Sequence, residues 1–172
     1  NNIGIDLSNV SNSTIANNII TQNSYGIVLL QYSTENVITS NTINSNTVGV
    51  YLSASLSNII LNNTLNSNML YGIFLSISSG NLITNNTINS NNDGIYLFSS
   101  LSNLITNNTI NSNDEYGIYL SFSFSNTITN NIVKDNLDYD FQIKVTSDNE
   151  CNNLIKNNTG SGNLPIKYLT PL

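Results

Sequence analysis

Hydrophobic residues along this chain fall in a fixed rhythm. A tetrad Gly-Ile-x-Leu recurs as Gly4-Ile5-Asp6-Leu7, Gly26-Ile27-Val28-Leu29, Gly49-Val50-Tyr51-Leu52, Gly72-Ile73-Phe74-Leu75, Gly94-Ile95-Tyr96-Leu97 and Gly117-Ile118-Tyr119-Leu120, with Asp140-Phe141-Gln142-Ile143 as a degenerate seventh copy. Successive copies stand 22, 23, 23, 22, 23 and 23 residues apart. Between tetrads lies a second element, Asn-x-Ile-x-x-Asn-x-Ile-x-x-Asn, cleanest from Asn81 to Asn91. Its polar corners form three columns. The first runs Ser13, Asn36, Asn58, Asn81, Asn103, Asn126, Asn153; the second Asn18, Asn41, Asn63, Asn86, Asn108, Asn131, Asn158; the third Asn23, Asn46, Asn68, Asn91, Asn113, Asn136, Asn163. A self-similar period of this length marks a stacked repeat architecture.

Each repeat offers three short apolar pieces in which inward residues alternate with polar ones, the period-2 signature of strands. Helix is disfavoured: the chain has two Ala, and Asn and Ser, which compete for backbone hydrogen bonds, fill the intervals. Leucine-rich repeats share a similar period and an Asn position and are the main rival architecture, but the disfavoured helix argues against them. The pattern therefore predicts an all-β, right-handed parallel β-helix of about seven rungs with three strands each, stacked ~4.8 Å apart and so about 34 Å long. Residues 1–163 form the repeats and 164–172 a tail that caps or docks. Asn is expected to tolerate left-handed backbone at the corners and to stack as hydrogen-bonded ladders, with the tetrad Gly giving backbone freedom at the remaining corner.

Composition narrows the function. The chain has 172 residues, 37 of them Asn; 39% are hydrophobic and only 8% charged, with net charge −6. Four Lys, no Arg and no His cannot build a basic phosphate-binding face, which removes nucleic acid as a partner. No apolar run approaches the ~20 residues of a membrane span, so membrane insertion is not expected. The single Cys151 allows no internal disulfide, and without a Cys/His cluster the usual zinc and copper ligand sets are absent. The start at Asn1, with no Met and no leader, reads as a processed or excised segment.

The Asn-x-Ile-x-x-Asn and Gly-Ile-x-Leu elements resemble the right-handed β-helix repeats of NosD-like and CASH (carbohydrate-binding and sugar hydrolase) domains, within the pectate-lyase-like superfamily. The likeness runs from Gly4 to Asn163. The segment from Cys151 to Tyr168 also resembles the end of such repeat domains in large surface proteins of methanogenic archaea. The resemblance implies fold firmly and activity weakly, because this solenoid carries lyases, hydrolases, adhesins and inert scaffolds. Lyases of the superfamily, so the resemblance implies, abstract a proton with Arg or Lys and use acidic Ca²⁺ ligands. Here only Lys134, Lys144, Lys156 and Lys167 are available, with no matching acidic shell.

Three candidate sites remain. Tyr51, Phe74, Tyr96 and Tyr119 occupy the x position of consecutive tetrads, and Tyr25, Tyr71, Tyr116 and Tyr139 precede the Gly or Asp. Alternation points the first set outward, as a stripe that stacks on sugars, meets another subunit, or merely covers the sheet. Glu115 and Asp138 align on adjacent rungs beside Asp93, with Asp114, Asp135 and Asp140 near. Carboxylates about 5 Å apart match a retaining glycosidase pair, but a solvated acidic edge or a weak Ca²⁺ site is the simpler expectation. Sequons occur at Asn9, Asn12, Asn62, Asn85, Asn107 and Asn157, the last four in one outward column where N-glycans would attach. Thr39 with Thr42, Thr84 with Thr87 and Thr106 with Thr109 straddle the second corner, which argues against a flat ice-binding plane.

The sequence thus predicts a non-enzymatic, extracellular module of a cell-surface layer, sheath or filament, self-associating through its solenoid ends and the aromatic stripe, whose partners are copies of itself, neighbouring modules of the same surface protein, or glycans. A carbohydrate-binding adhesin module and a degenerate carbohydrate-active enzyme are the alternatives. No cofactor is expected beyond Ca²⁺ at the acidic edge.

Overall fold

Three parallel sheets wrap one apolar interior in the computed structural model, which describes residues 1–145 and 152–165. Cys151, Lys167 and most of the 164–172 tail lie outside the described residues. One sheet has seven six-residue strands, from Ile3–Ser8 to Tyr139–Lys144, each carrying a tetrad. A second has seven three-residue strands, from Thr14–Ala16 to Leu154–Lys156, and a third has six, from Ile19–Thr21 to Ile132–Lys134. All strand pairs are parallel and in register: Ile73 lies beside Ile95, Ile83 beside Ile105, and Ile88 beside Ile110.

The expected seventh rung is incomplete. Thr159 bridges to Ile132 and so begins its third-sheet strand, but Gly160 follows, Ser161–Asn163 form a 3-10 turn, and Pro165 pairs antiparallel to Thr159. The turn takes Asn163 out of the third ladder. The interior is Ile, Leu and Val. Ile27, Leu29, Ile38, Ile43, Ile60, Leu65, Ile88 and Ile110 are fully buried, each contributing about 1.5–3 kcal/mol.

The Asn columns do form ladders, and the ladders have a direction. Asn86 gives its backbone N–H and its Nδ2–H to Asn108 Oδ1, both at 3.0 Å. Its own Oδ1 accepts the same two groups from Asn63, at 2.9 and 3.1 Å. Nδ2 also reaches Ile60 O and Thr84 O, which tie the corner to the rung before and to its own strand. The Asn-to-Asn bonds of these columns therefore all run toward the C-terminal end, and the amide geometry satisfies a buried corner backbone that water cannot reach.

Two corner expectations are corrected. Left-handed backbone belongs to the residue before each ladder position, not to the ladder Asn: Asn62, Asn85 and Asn107 have φ of 55°, 55° and 57°, and Ser45, Ser67 and Ser90 serve the third column. The tetrad Gly is not a left-handed corner. A Cβ on Gly94 would lie 2.5 Å from Gly117 O on the next rung and 2.5 Å from the Ile110 side chain, so the residue is Gly because two backbones and a core side chain converge there.

A fourth ladder was not foreseen. Ser33, Ser55, Ser78, Ser100 and Ser123 are fully buried; Ser55 and Ser78 give their N–H groups to Ser78 Oγ and Ser100 Oγ at 3.1 and 3.0 Å. The sequence carries the signal, since each stands three residues before a first-column Asn.

Candidate functional site

The long strands present the aromatic column on their outer face. Tyr25–Tyr51, Tyr51–Phe74, Phe74–Tyr96 and Tyr96–Tyr119 have ring centroids 5.6, 5.1, 5.1 and 4.8 Å apart, with interplanar angles of 28°, 13°, 11° and 6°. In-register strands spaced about 4.8 Å apart hold identical side chains at nearly the ring-stacking distance, so the ladder follows from the sheet. Tyr71 and Tyr116 flank it tilted, 4.9 Å from Phe74 and from Tyr119, and Tyr139 stacks on Tyr116 at 6.1 Å. The rings are half-buried, apart from the exposed Tyr139. Their faces are occupied by one another, and what they turn to solvent is edges. A sugar ring seeks an aromatic face, so the column offers little stacking surface along its length.

Asp93 interrupts the flanking column, lying beside Tyr71 in register. It is only 5% exposed and accepts the Tyr116 N–H at 3.3 Å. Burial, with Glu115 and Asp138 adding like charge, pushes its carboxyl up to about 6 although the Tyr116 N–H opposes this. Burial also raises the Tyr71 hydroxyl, with Asp93 adding to it, and raises those of Tyr96 and Tyr116.

Glu115 and Asp138 do align on adjacent rungs, the Asp138 N–H donating to Glu115 O at 3.0 Å, and both remain exposed. Asp93 turns inward instead. Among the described residues no three acids or cysteines come together as a metal-holding group. Asp140 has a separate task. It stands where the other rungs have Gly, and its Oδ1 accepts the Asn136 N–H and Nδ2–H at 3.4 and 3.0 Å, taking the place of the next Asn and ending the third ladder.

Asn62, Asn85, Asn107 and Asn157 are exposed, at the left-handed position before the second ladder. The Asn-Asn-Thr triplet is thus one left-handed corner, one ladder residue and one strand start. Thr39 and Thr42 lie in different sheets, as do Thr84 and Thr87. Lys134, Lys144 and Lys156 end strands of three different sheets. No helix among the described residues is long and apolar enough to cross a membrane.

The family model for a right-handed β-helix region matches residues 1–92 and 38–165. This chain belongs to that family. No curated protein matches it in sequence. Among solved structures it is similar to the A-module of the Azotobacter vinelandii mannuronan C-5 epimerase AlgE4, at 17% identity and a TM-score of 0.84, over 98% of this chain and 53% of that one. It is also similar to the periplasmic alginate epimerase AlgG, at 19% identity and a TM-score of 0.75, over 92% of this chain and 47% of that one. The Dettilon tailspike protein matches at 17% identity and a TM-score of 0.56, over 80% of this chain and 34% of its own. At these identities the likeness is one of fold, and the chain spans about half the length of the two epimerase structures.

Proposed function

We propose that this β-helix is a non-enzymatic structural module of an extracellular surface layer, sheath or filament, of the NosD-like kind suggested by its repeats. The observation that supports it best is where the polar groups are used. Three Asn ladders, a Ser ladder and a face-to-face ring column all join rung to rung, as in Asn86 to Asn108, Ser78 to Ser100 and Tyr96 to Tyr119. Such a solenoid is tied from rung to rung along its whole axis, which suits a load-bearing part. Electron microscopy of native material tests this: a layer, sheath or filament containing the chain is expected, and a dispersed single particle would refute it.

A carbohydrate-binding module is the second reading. It draws on the outward hydroxyls of Tyr51, Tyr96 and Tyr119, and on fold neighbours that, by their names, are epimerases of alginate or mannuronan. Binding of an oligouronate to the purified chain, abolished by Tyr96→Ala, would favour it. Release of unsaturated or epimerised uronate products, with or without Ca²⁺, would instead establish an enzyme.

A further inference from the structure

The corner between Thr39 and Thr42 rules out a threonine plane that crosses it, but each sheet keeps columns of its own. In the third sheet the strands from Thr42–Asn44 to Thr109–Asn111 all read Thr-x-Asn, and the middle residue is fully buried each time. Alternation along a strand then turns both flanking side chains outward. Thr42, Thr64, Thr87 and Thr109 lie side by side in register, and the Asn two residues on makes a second column, Asn44 to Asn111. Rungs repeat every ~4.8 Å, and Thr and Asn within one strand stand about 6.6 Å apart. At the corresponding first position of its strands the second sheet turns Val37, Ile59, Leu82 and Leu104 outward, so the polar array belongs to one face only.

The array is held in place. Threonine is β-branched and has few rotamers to choose from. Asn66, Asn89 and Asn111 donate their backbone N–H groups to Oδ1 of Asn44, Asn66 and Asn89 at 2.9, 3.2 and 3.1 Å. This outer ladder runs toward the N-terminal end, against the three inner ones, and it fixes each amide plane. The Nδ2 groups of Asn66 and Asn89 are left without a protein partner among the described residues. Inner ladders through Asn86 and Asn91 frame the sheet on its two sides, and side-chain ladders of this kind let stacked strands stay flat. Between Glu35 and Asp114 the chain carries one charge, Asp93, and that residue belongs to the long-strand sheet.

We propose that the outer face of the third sheet binds ice. A dissolved polymer is gripped through charge or through ring faces, and this face has neither. What it has is a two-dimensional repeat, which a periodic solid can match at every position. Ice is a lattice of groups that each donate and accept hydrogen bonds. Threonine hydroxyls do both, and the free Asn Nδ2–H groups donate. The mesh of the two columns lies close to the oxygen repeats on the prism faces of ice, so waters bridging Thr64, Asn66, Thr87 and Asn89 stand where the first crystal layer would place them. A charge on the face would hold its own hydration shell in another geometry, and none is there. This activity is separate from the structural-module reading and does not depend on it.

The full chain, produced without N-glycans because the exposed Asn62 and Asn85 border the face, is tested for partition into a slowly growing ice shell and for thermal hysteresis on single ice crystals. The wild type should enter the ice, shape the crystals and hold them unchanged below the melting point. Thr87→Tyr and Thr64→Lys each alter an outward side chain and should leave the circular dichroism spectrum unchanged, yet lose most of the hysteresis. Leu104→Tyr, on the second sheet, should behave as the wild type. Absence of both partition and hysteresis in the wild type overturns the proposal. So does activity that Thr87→Tyr and Thr64→Lys retain in full, or that Leu104→Tyr loses equally. Binding to a microcrystalline polysaccharide that the two Thr variants abolish, with no partition into ice, also overturns it and gives the face to a different solid.

Discussion

Replacing Asn86 by alanine removes the central member of the second ladder, and the structure sets the size of the effect. The Asn63 N–H loses Asn86 Oδ1 as its acceptor in a fully shielded corner, which alone costs about 1–3 kcal/mol. Four further side-chain contacts go: the one received from Asn63 Nδ2 and those that the two Nδ2 hydrogens share among Asn108 Oδ1, Ile60 O and Thr84 O. Their carbonyl and amide partners keep other bonds, so each counts at the lower end of about 0.5–1.5 kcal/mol. The sum is about 4 kcal/mol, a large part of the ~5–15 kcal/mol that holds a domain together. Asn18→Ala is the control. Its side chain donates to Ala16 O and Asn41 Oδ1 and leaves no ladder N–H unpaired, so about 1 kcal/mol is expected. Asn86→Ser should fall between the two, because a hydroxyl can take the ladder N–H as Ser78 Oγ takes that of Ser55 at 3.1 Å, but cannot reach both neighbouring rungs. Urea unfolding followed by circular dichroism measures all three, with hydrogen exchange to detect partial opening of rungs, since solenoids need not unfold in one step. Equal destabilisation by Asn18→Ala and Asn86→Ala would refute the directional ladder.

Three other outcomes are expected. Because burial raises the Asp93 carboxyl from 3.8 to about 6, its ionisation opposes folding: the penalty is absent below about pH 4, grows as pH rises through 6, and is complete above. That interval is about 3 kcal/mol at most, and screening by the water around the neighbouring exposed Glu115 and Asp138 reduces it to about 1–2, so Asp93→Asn should gain that much at pH 8 and nothing at pH 4; a gain independent of pH contradicts the account. Gly94→Ala should cost about 3 kcal/mol or more because its Cβ meets a carbonyl and a core side chain at 2.5 Å, whereas Gly80→Ala, whose Cβ would meet only Ser57 at 3.6 Å but at φ of +68°, should cost about 1–2; thermal melts that rank them the other way would be decisive. Ile77 is a β-branched residue at φ of 51°, 63% exposed, so Ile77→Asn should stabilise by about 1 kcal/mol in urea titrations, and no gain would argue against strain there.

The sequence by itself determined the period, the sheets, the inward Ile and Leu, the aromatic column and the ladder positions. These are translational properties: in parallel stacking a residue meets its own counterpart one repeat on, so Asn86 must lie between Asn63 and Asn108 once the spacing is known. The Ser ladder was equally written, at a constant three residues before each first-column Asn, and was obscured only because Ser is also the ordinary filler of this chain. What a single repeat does not encode is how neighbouring rungs meet. Only the tertiary structure decided that the left-handed corner is borne by the residue before the ladder, that Gly94 faces a carbonyl of the next rung, and that the rings turn their faces to one another. It also decided that Asp93 is buried while Glu115 and Asp138 stay in water, and that Asp140 closes a ladder that Asn163 would have continued. Each of these depends on atoms brought together across a rung, or on the break in repetition at an end. There, hydrogen-bond direction and space between backbones determine the outcome, and neither is visible in a pattern of apolar and polar positions.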